Sequence, residues 1–95
     1  MSVYIIFDIE ITNPTEYEDY KKLAAPTVTQ YGGKYIVRGG KNETLEGEWI
    51  PNRLVILEFE NSERAKAWHD STEYAEAKAL RNKYAKSKAV VVEGV

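Results

Sequence analysis

"VYIIFDIEI", Val3 to Ile11, sets Val3, Ile5, Phe7, Ile9 and Ile11 against Tyr4, Ile6, Asp8 and Glu10. A two-residue period with β-branched residues dominant reads as a strand. Its second register is not polar throughout, because Tyr4 and Ile6 belong to it. "LVILEF", Leu54 to Phe59, repeats the pattern, with Val55, Leu57 and Phe59 on one side and Leu54 and Ile56 on the other. An antiparallel sheet with one solvated face should alternate cleanly between apolar and polar. These strands do not, so both faces of their sheet need cover.

Working outward, "NPTEYEDYKKLAAPTVTQYGG" opens a helix with Asn13 as N-cap, Pro14 at the first helical position and Glu16 three residues after the cap. Tyr17, Tyr20, Ala24, Val28 and Tyr31 follow at helical spacing, and Gly32-Gly33 stops the run. Pro26 lies inside it, where a missing N–H and a crowded preceding turn predict a kink or break between Leu23 and Pro26. "KYIVRGG" is a second strand, and the loop from Gly40 to Pro51 joins it to the third, "NRLVILEFE". "NSERAKAWHD" starts a second helical region with Ser62 as cap. Ser71-Thr72-Glu73 recaps it after a local break, and "KAVVVEGV" is the last strand.

The order β-α-β-β-α-β, with short connections and right-handed crossovers, predicts an α+β ferredoxin-like sandwich: a four-stranded antiparallel sheet with its helices on one face. Residues 1–95 form a single domain, since a chain of this length buries roughly 60 to 68% of its unfolded surface and has no room for a second core. The other sheet face, with Tyr4, Ile6, Leu54, Ile56 and Val90 or Val92, would be a patch that monomers avoid. A homodimer through that face is expected, with a different covering protein as the alternative.

With no cysteine and one histidine among 95 residues, thiolate chemistry and cysteine metal sites are excluded. No metal, flavin or haem is expected as a requirement for folding. Thirteen Lys and Arg against 15 Asp and Glu give a formal charge of -2 without a basic block, which argues against nucleic acid as a partner. "NRLVILEF" also lacks the glycine–aromatic pattern that stacks RNA bases. No apolar run approaches the ~20 residues that span a bilayer, so no membrane segment is expected. The start of the chain reads as a strand and not a signal peptide, so a cytoplasmic protein is the expectation. "NET" at Asn42 matches a glycosylation sequon but reads as loop chemistry.

"IVRGGKNETLEGEW", Ile36 to Trp49, carries the first candidate site. Arg38 ends a strand, Glu46 and Trp49 lie on the loop and Arg53 begins the next strand, so all four are expected to gather at one end of the hairpin, with Trp49 as a lid. The simpler reading is that the charges pair with one another, which contributes roughly 0 to 1 kcal/mol and needs no ligand. On the last helix, Tyr74, Ala77, Arg81 and Tyr84 share a stripe, and an arginine beside apolar surface wants a carboxylate, a backbone carbonyl or an anionic ligand. Trp68 reads as a core anchor that could also wall a pocket. His69 is a weak catalytic candidate, because no serine, cysteine or second histidine accompanies it. Asp8, Glu10, Glu58 and Glu60 could meet as paired carboxylates, or mark an interface rim.

"GGKYIVRGG", "LEGEW", "RLVILEFE", "AWHDSTEY" and the later "LR" resemble, in that order, the family called domain of unknown function 1330. The resemblance covers nearly the whole chain. It departs at His69, where the pattern has Tyr, and at Thr72, where it has Pro. The resemblance implies a dimeric α+β barrel protein, related in fold to the cofactor-independent antibiotic-biosynthesis monooxygenases, and no established activity.

The leading functional expectation is a protein that binds a small anionic or aromatic molecule between helices and sheet through Arg38, Glu46, Trp49, Trp68, Tyr74 and Arg81, in one form a cofactor-independent enzyme. The alternative is a regulatory or assembly module acting through its homodimer.

Overall fold

The computed structural model describes residues 2–95. Along the chain lie β1 (Val3–Ile11), α1 (Pro14–Gln30), β2 (Lys34–Arg38), β3 (Arg53–Phe59), α2 (Ser62–His69), α3 (Thr72–Tyr84) and β4 (Ala85–Glu93). The strands form one antiparallel sheet in the order β2-β3-β1-β4. This is the ferredoxin-like α+β arrangement that the sequence pattern implies, with its second helical region divided into α2 and α3.

The core lies between the helices and one sheet face. Val3, Ile5, Phe7 and Ile9 of β1 and Val55, Leu57 and Phe59 of β3 meet Tyr17, Tyr20, Ala24 and Val28 of α1, Trp68 of α2, and Tyr74 and Ala77 of α3. Trp68 stacks on Tyr74 with ring centroids 4.1 Å apart and sends its indole N–H to Thr27 Oγ1 at 3.0 Å. Buried Trp needs such an acceptor, and Thr27 provides it while donating its own proton to the Ala24 carbonyl at 2.7 Å.

That bond bears on Pro26. Of the expected kink or break, the break does not occur: α1 runs through the proline as one helix. Pro26 is exposed, whereas Ala24, Thr27 and Val28 around it are buried. Burial of one helix face and the Trp68–Thr27–Ala24 link hold the turn despite the lost N–H donor.

The helix starts follow the sequence closely, with one correction. Asn13 caps α1 by accepting from the Glu16 amide at 3.2 Å, and Ser71 caps α3 by accepting from Tyr74 N at 3.1 Å. The cap of α2 is Asn61 and not Ser62: Asn61 Oδ1 takes the Arg64 amide at 2.8 Å, and Ser62 is the first helical residue. Both side chains suit a cap, and asparagine one residue earlier wins it.

The pairing of β2 with β3 slips at Ile36. Tyr35 faces Leu57, but Val37 faces Ile56 and Arg38 faces Val55, so Ile36 is an extra residue in the ladder. Strict alternation would put Arg38 on the face opposite Tyr35. The bulge turns Arg38 to the same helix-covered side, because one inserted residue reverses every side chain beyond it.

The other sheet face has no helix over it. Tyr4, Ile6, Leu54 and Ile56 are half-buried there, and Val90 and Val92, opposite Ile6 and Tyr4, are 59% and 46% exposed. Asp8 and Glu10 do not pair with other carboxylates on this face: the ladder sets them opposite Lys88 and Lys86, while Glu58 accepts from Tyr4 Oη at 3.3 Å. Among the described residues, no helix is long and apolar enough to cross a membrane.

Candidate functional site

Arg81 is the one charged side chain in the core, 5% exposed on the inner face of α3. Its guanidinium lies over the Phe7 ring, 4.9 Å from the centroid, and Nη1 donates to Tyr74 Oη at 2.6 Å. Among the described residues it has no carboxylate within salt-bridge distance, and its Nε is buried without a hydrogen-bond partner. A buried cation is ordinarily paired, since removing it from water costs several kcal/mol even after relaxation.

Tyr74 Oη also lies 2.9 Å from Tyr20 Oη. Tyr74 accepts from Arg81 with one lone pair, and either phenol can donate in the Tyr74–Tyr20 bond. With Tyr74 as that donor, the Tyr20 proton is open to a further acceptor. Tyr20 lines a cavity of about 20 Å³ between α1 and the sheet, together with Ile9, Tyr17, Lys21, Tyr35, Arg38, Arg53 and Val55. Arg38 stacks on Tyr35 at 4.3 Å, and Arg53 Nε is buried and unpartnered like that of Arg81. No carboxylate lines this cavity.

Tyr17, Tyr35 and Tyr74 are neutral hydroxyls. Burial pushes the Tyr17 phenol up to about 12, with the nearby Tyr20 adding to the shift and the Arg53 and Arg81 charges opposing it. Burial likewise raises Tyr74, and outweighs the pull of Arg81. Tyr35 is raised for the same first reason. The wall is therefore made of protonated hydroxyls and cations, which is the inventory of an anion site.

Local backbone geometry permits this gathering. Gly39 follows Arg38 at φ +72°, and a Cβ there would run into the Arg53 guanidinium. Its N–H donates to the Leu54 carbonyl at 2.8 Å, which closes the end of the hairpin. Only glycine combines that dihedral with so close an approach.

The expected gathering of Arg38, Glu46, Trp49 and Arg53 is corrected by the sheet that runs between them. Arg38 and Arg53 face the helices. Trp49 folds across the opposite face, where its indole N–H donates to Asp8 Oδ2 at 2.9 Å and Asn52 N to Asp8 Oδ1 at 2.9 Å. The Trp49 bond is the main reason the Asp8 carboxyl is held below its ordinary value. Trp49 is 58% exposed and borders a shallow hollow with Ile6, Lys88 and Val90, and Glu46 is exposed on the loop. Trp68 is 1% exposed within the packed core. Tyr74 and Arg81 stand together as their helical stripe implies, and Tyr20, Lys21, Tyr35 and Arg53 complete the cluster. Tyr17 and Tyr20 were visible as a helical pair, but nothing local in the sequence joins them to Tyr35 across the sheet.

His69 ends α2 on the far side of the core. Its Nδ1 lies 3.4 Å from Lys78 Nζ and 3.5 Å from Asp70 Oδ1. Burial, then Lys78, lowers its pKa below the ordinary histidine value, against the pull of Asp70. Among the described residues no group of three or more His, Cys, Asp or Glu is placed to hold a metal ion.

Sheet order and helix placement define a ferredoxin-like α+β fold. The chain belongs to the family Domain of unknown function (DUF1330), whose model matches residues 2–95. A protein of unknown function from Rhodopseudomonas palustris superposes with a TM-score of 0.80 at 16% identity, covering 99% of this chain and 82% of that one. A dimeric ferredoxin-like protein of unknown function from Jannaschia gives 0.73 at 10% identity, covering 99% and 100%. SnoaB, a cofactor-independent oxygenase from Streptomyces nogalater, gives 0.67 at 10% identity, covering 99% and 93%. At these identities the likeness is one of fold. No curated protein matches the chain significantly.

Proposed function

We propose that this protein is a cytoplasmic homodimer that binds a small organic anion, a carboxylate first among them, between α1 and the helix-covered face of the sheet. The observation that carries the reading is a cavity whose polar lining is Lys21, Arg38, Arg53 and three tyrosines, with the unpaired Arg81 behind Tyr74 and no acid in the wall. About 20 Å³ suffices for a water-sized group. One carboxylate oxygen fits there, and the rest of the molecule lies at the mouth, against Tyr35 and the exposed Arg38. An aromatic acid suits that mouth best.

The homodimer is supported by the open face of Tyr4, Ile6, Leu54, Ile56, Val90 and Val92, and by the dimeric Jannaschia protein of the same fold. A second reading, that the bound molecule is also turned over without a cofactor, is favoured by the hydrogen-bonded chain of Arg81, Tyr74 and Tyr20. Such donors can stabilise a developing oxyanion. SnoaB, which has the same fold, is a cofactor-independent oxygenase.

A thermal-shift series with small carboxylates, phosphates and aromatic acids tests the binding reading. Carboxylates should raise the melting temperature of the parent. Arg81→Met and Arg53→Met should melt within a few degrees of it, since each removes a poorly paired cation, but should lose at least about tenfold in affinity, from roughly 1.5 to 3 kcal/mol per charge-assisted bond. If both variants melt well below the parent and no anion stabilises it, the arginines are scaffold and the domain is an assembly module.

A further inference from the structure

A second hollow, of about 190 Å³, lies at the opposite end of the helix layer, between α2 and the edge strand β4. Its floor is apolar: Ile5, Ala65, Ala89 and Val91. Ala89 and Val91 face the helix side because they pair with Phe7 and Ile5, yet Val91 is 42% exposed, so the hollow opens at the sheet edge. Polar groups enter only at the α2 end, from Lys66, His69 and Asp70.

The chemistry at that end is directional. Lys78 Nζ donates to the His69 carbonyl at 3.2 Å and lies 3.4 Å from Nδ1. An ammonium has no lone pair, so Nδ1 accepts in that contact, which puts the ring proton on Nε2; Asp70 Oδ1, 3.5 Å from the same Nδ1, calls for the opposite tautomer. Burial and the Lys78 charge keep the ring neutral near pH 7, against Asp70. In the Nε2–H tautomer that the Lys78 contact selects, the imidazole offers one N–H donor whose partner is not supplied by the described residues.

We propose that this hollow is a binding site, separate from the arginine–tyrosine cluster, for a single-ring aromatic molecule carrying one uncharged oxygen acceptor, such as an aryl ketone or aldehyde. Size decides the ring: a cavity of about 150 Å³ takes up benzene, whereas drug-sized molecules need about 300 Å³ or more. Charge decides the acceptor. Asp70 offsets Lys66 at the rim, so the lining presents no net positive charge to a carboxylate, and the His69 N–H favours an oxygen with lone pairs.

The test is a titration of the ¹⁵N-labelled full chain with acetophenone, with toluene and benzoate as comparisons. Acetophenone should give saturable shifts at Ala65, His69, Ala89 and Val91 and at the His69 ring nitrogens, leaving Tyr20 and Arg81 unmoved. Toluene and benzoate should each bind more weakly. His69→Phe should weaken acetophenone binding by about three- to tenfold, the effect of one hydrogen bond. Ala89→Phe should abolish it by filling the hollow from an exposed strand position, with Ala89→Leu as the milder variant. Shifts that fail to saturate, that map to the arginine cluster, or that persist unchanged in both Ala89 variants would overturn the proposal. So would a hollow closed to the probe by a side chain of a second copy.

Discussion

Arg81 shows how one residue can carry two readings until its surroundings are known. Its helical stripe with Tyr74 and Ala77 was legible in the sequence, and so was its nearness to apolar surface. What the pattern could not supply was the absence of a counter-ion, because the acids that might have answered it are placed elsewhere by the fold: Asp8 holds Trp49, and Glu73 takes Tyr31 Oη at 2.8 Å. His69 lends itself to a pH experiment, since it is the only histidine in the chain. Its folded pKa is lowered by burial first and Lys78 second, with Arg81 adding to the shift and Asp70 opposing it. The unfolded chain thus binds the proton more tightly, and linkage gives the sign. Stability should be complete above about 6.5. It should fall as pH drops through the lowered folded value, and then level until the carboxylates titrate. Urea midpoints between pH 7.5 and 5 should show that slope in the parent and lose it in His69→Gln; an equal slope in both would remove His69 as its source.

The elements were largely legible, and the exceptions have physical causes. Caps, periodicity and glycine stops placed every strand and helix, because those signals act within a few residues of one another. Pro26 predicts a kink or a break because the local rule is steric, and the helix continues because Thr27 and Val28 are held by partners far along the chain. Pro26→Ala should therefore stabilise the protein, by about 2 kcal/mol: roughly 3 for restoring a helix interior, less up to about 1 for the looser unfolded chain. Equilibrium denaturation measures this. A destabilised variant would mean that the ring itself holds the turn. The bulge at Ile36 is the deeper lesson, since alternation alone sends Arg38 to the wrong face. A ladder slip depends on the partner strand, and Lys34 to Arg38 contain nothing that marks it.

At the scale of the whole molecule, the two sheet faces differ: one packs under helices around the donor cluster, and the other, half-exposed, is the face proposed to meet a second copy. Light scattering at micromolar concentration should return twice the chain mass. Ile56→Asp should return a monomer or an aggregate, because it places a carboxylate without a partner in the proposed interface. A well-behaved monomer of the parent would refute the dimer. The claim on which the functional account rests is that the buried guanidinium of Arg81, with an unpartnered Nε and only a phenol oxygen and ring faces near it, belongs to an anion site. The direct measurement follows the Arg81 Nε–Hε resonance of the ¹⁵N-labelled protein while small carboxylates, from acetate to benzoate, are titrated in. A saturable shift of that resonance together with the amides of Tyr20 and Arg53 is the expected result; a resonance that stays in place with every anion, in a protein that remains folded, would contradict the account.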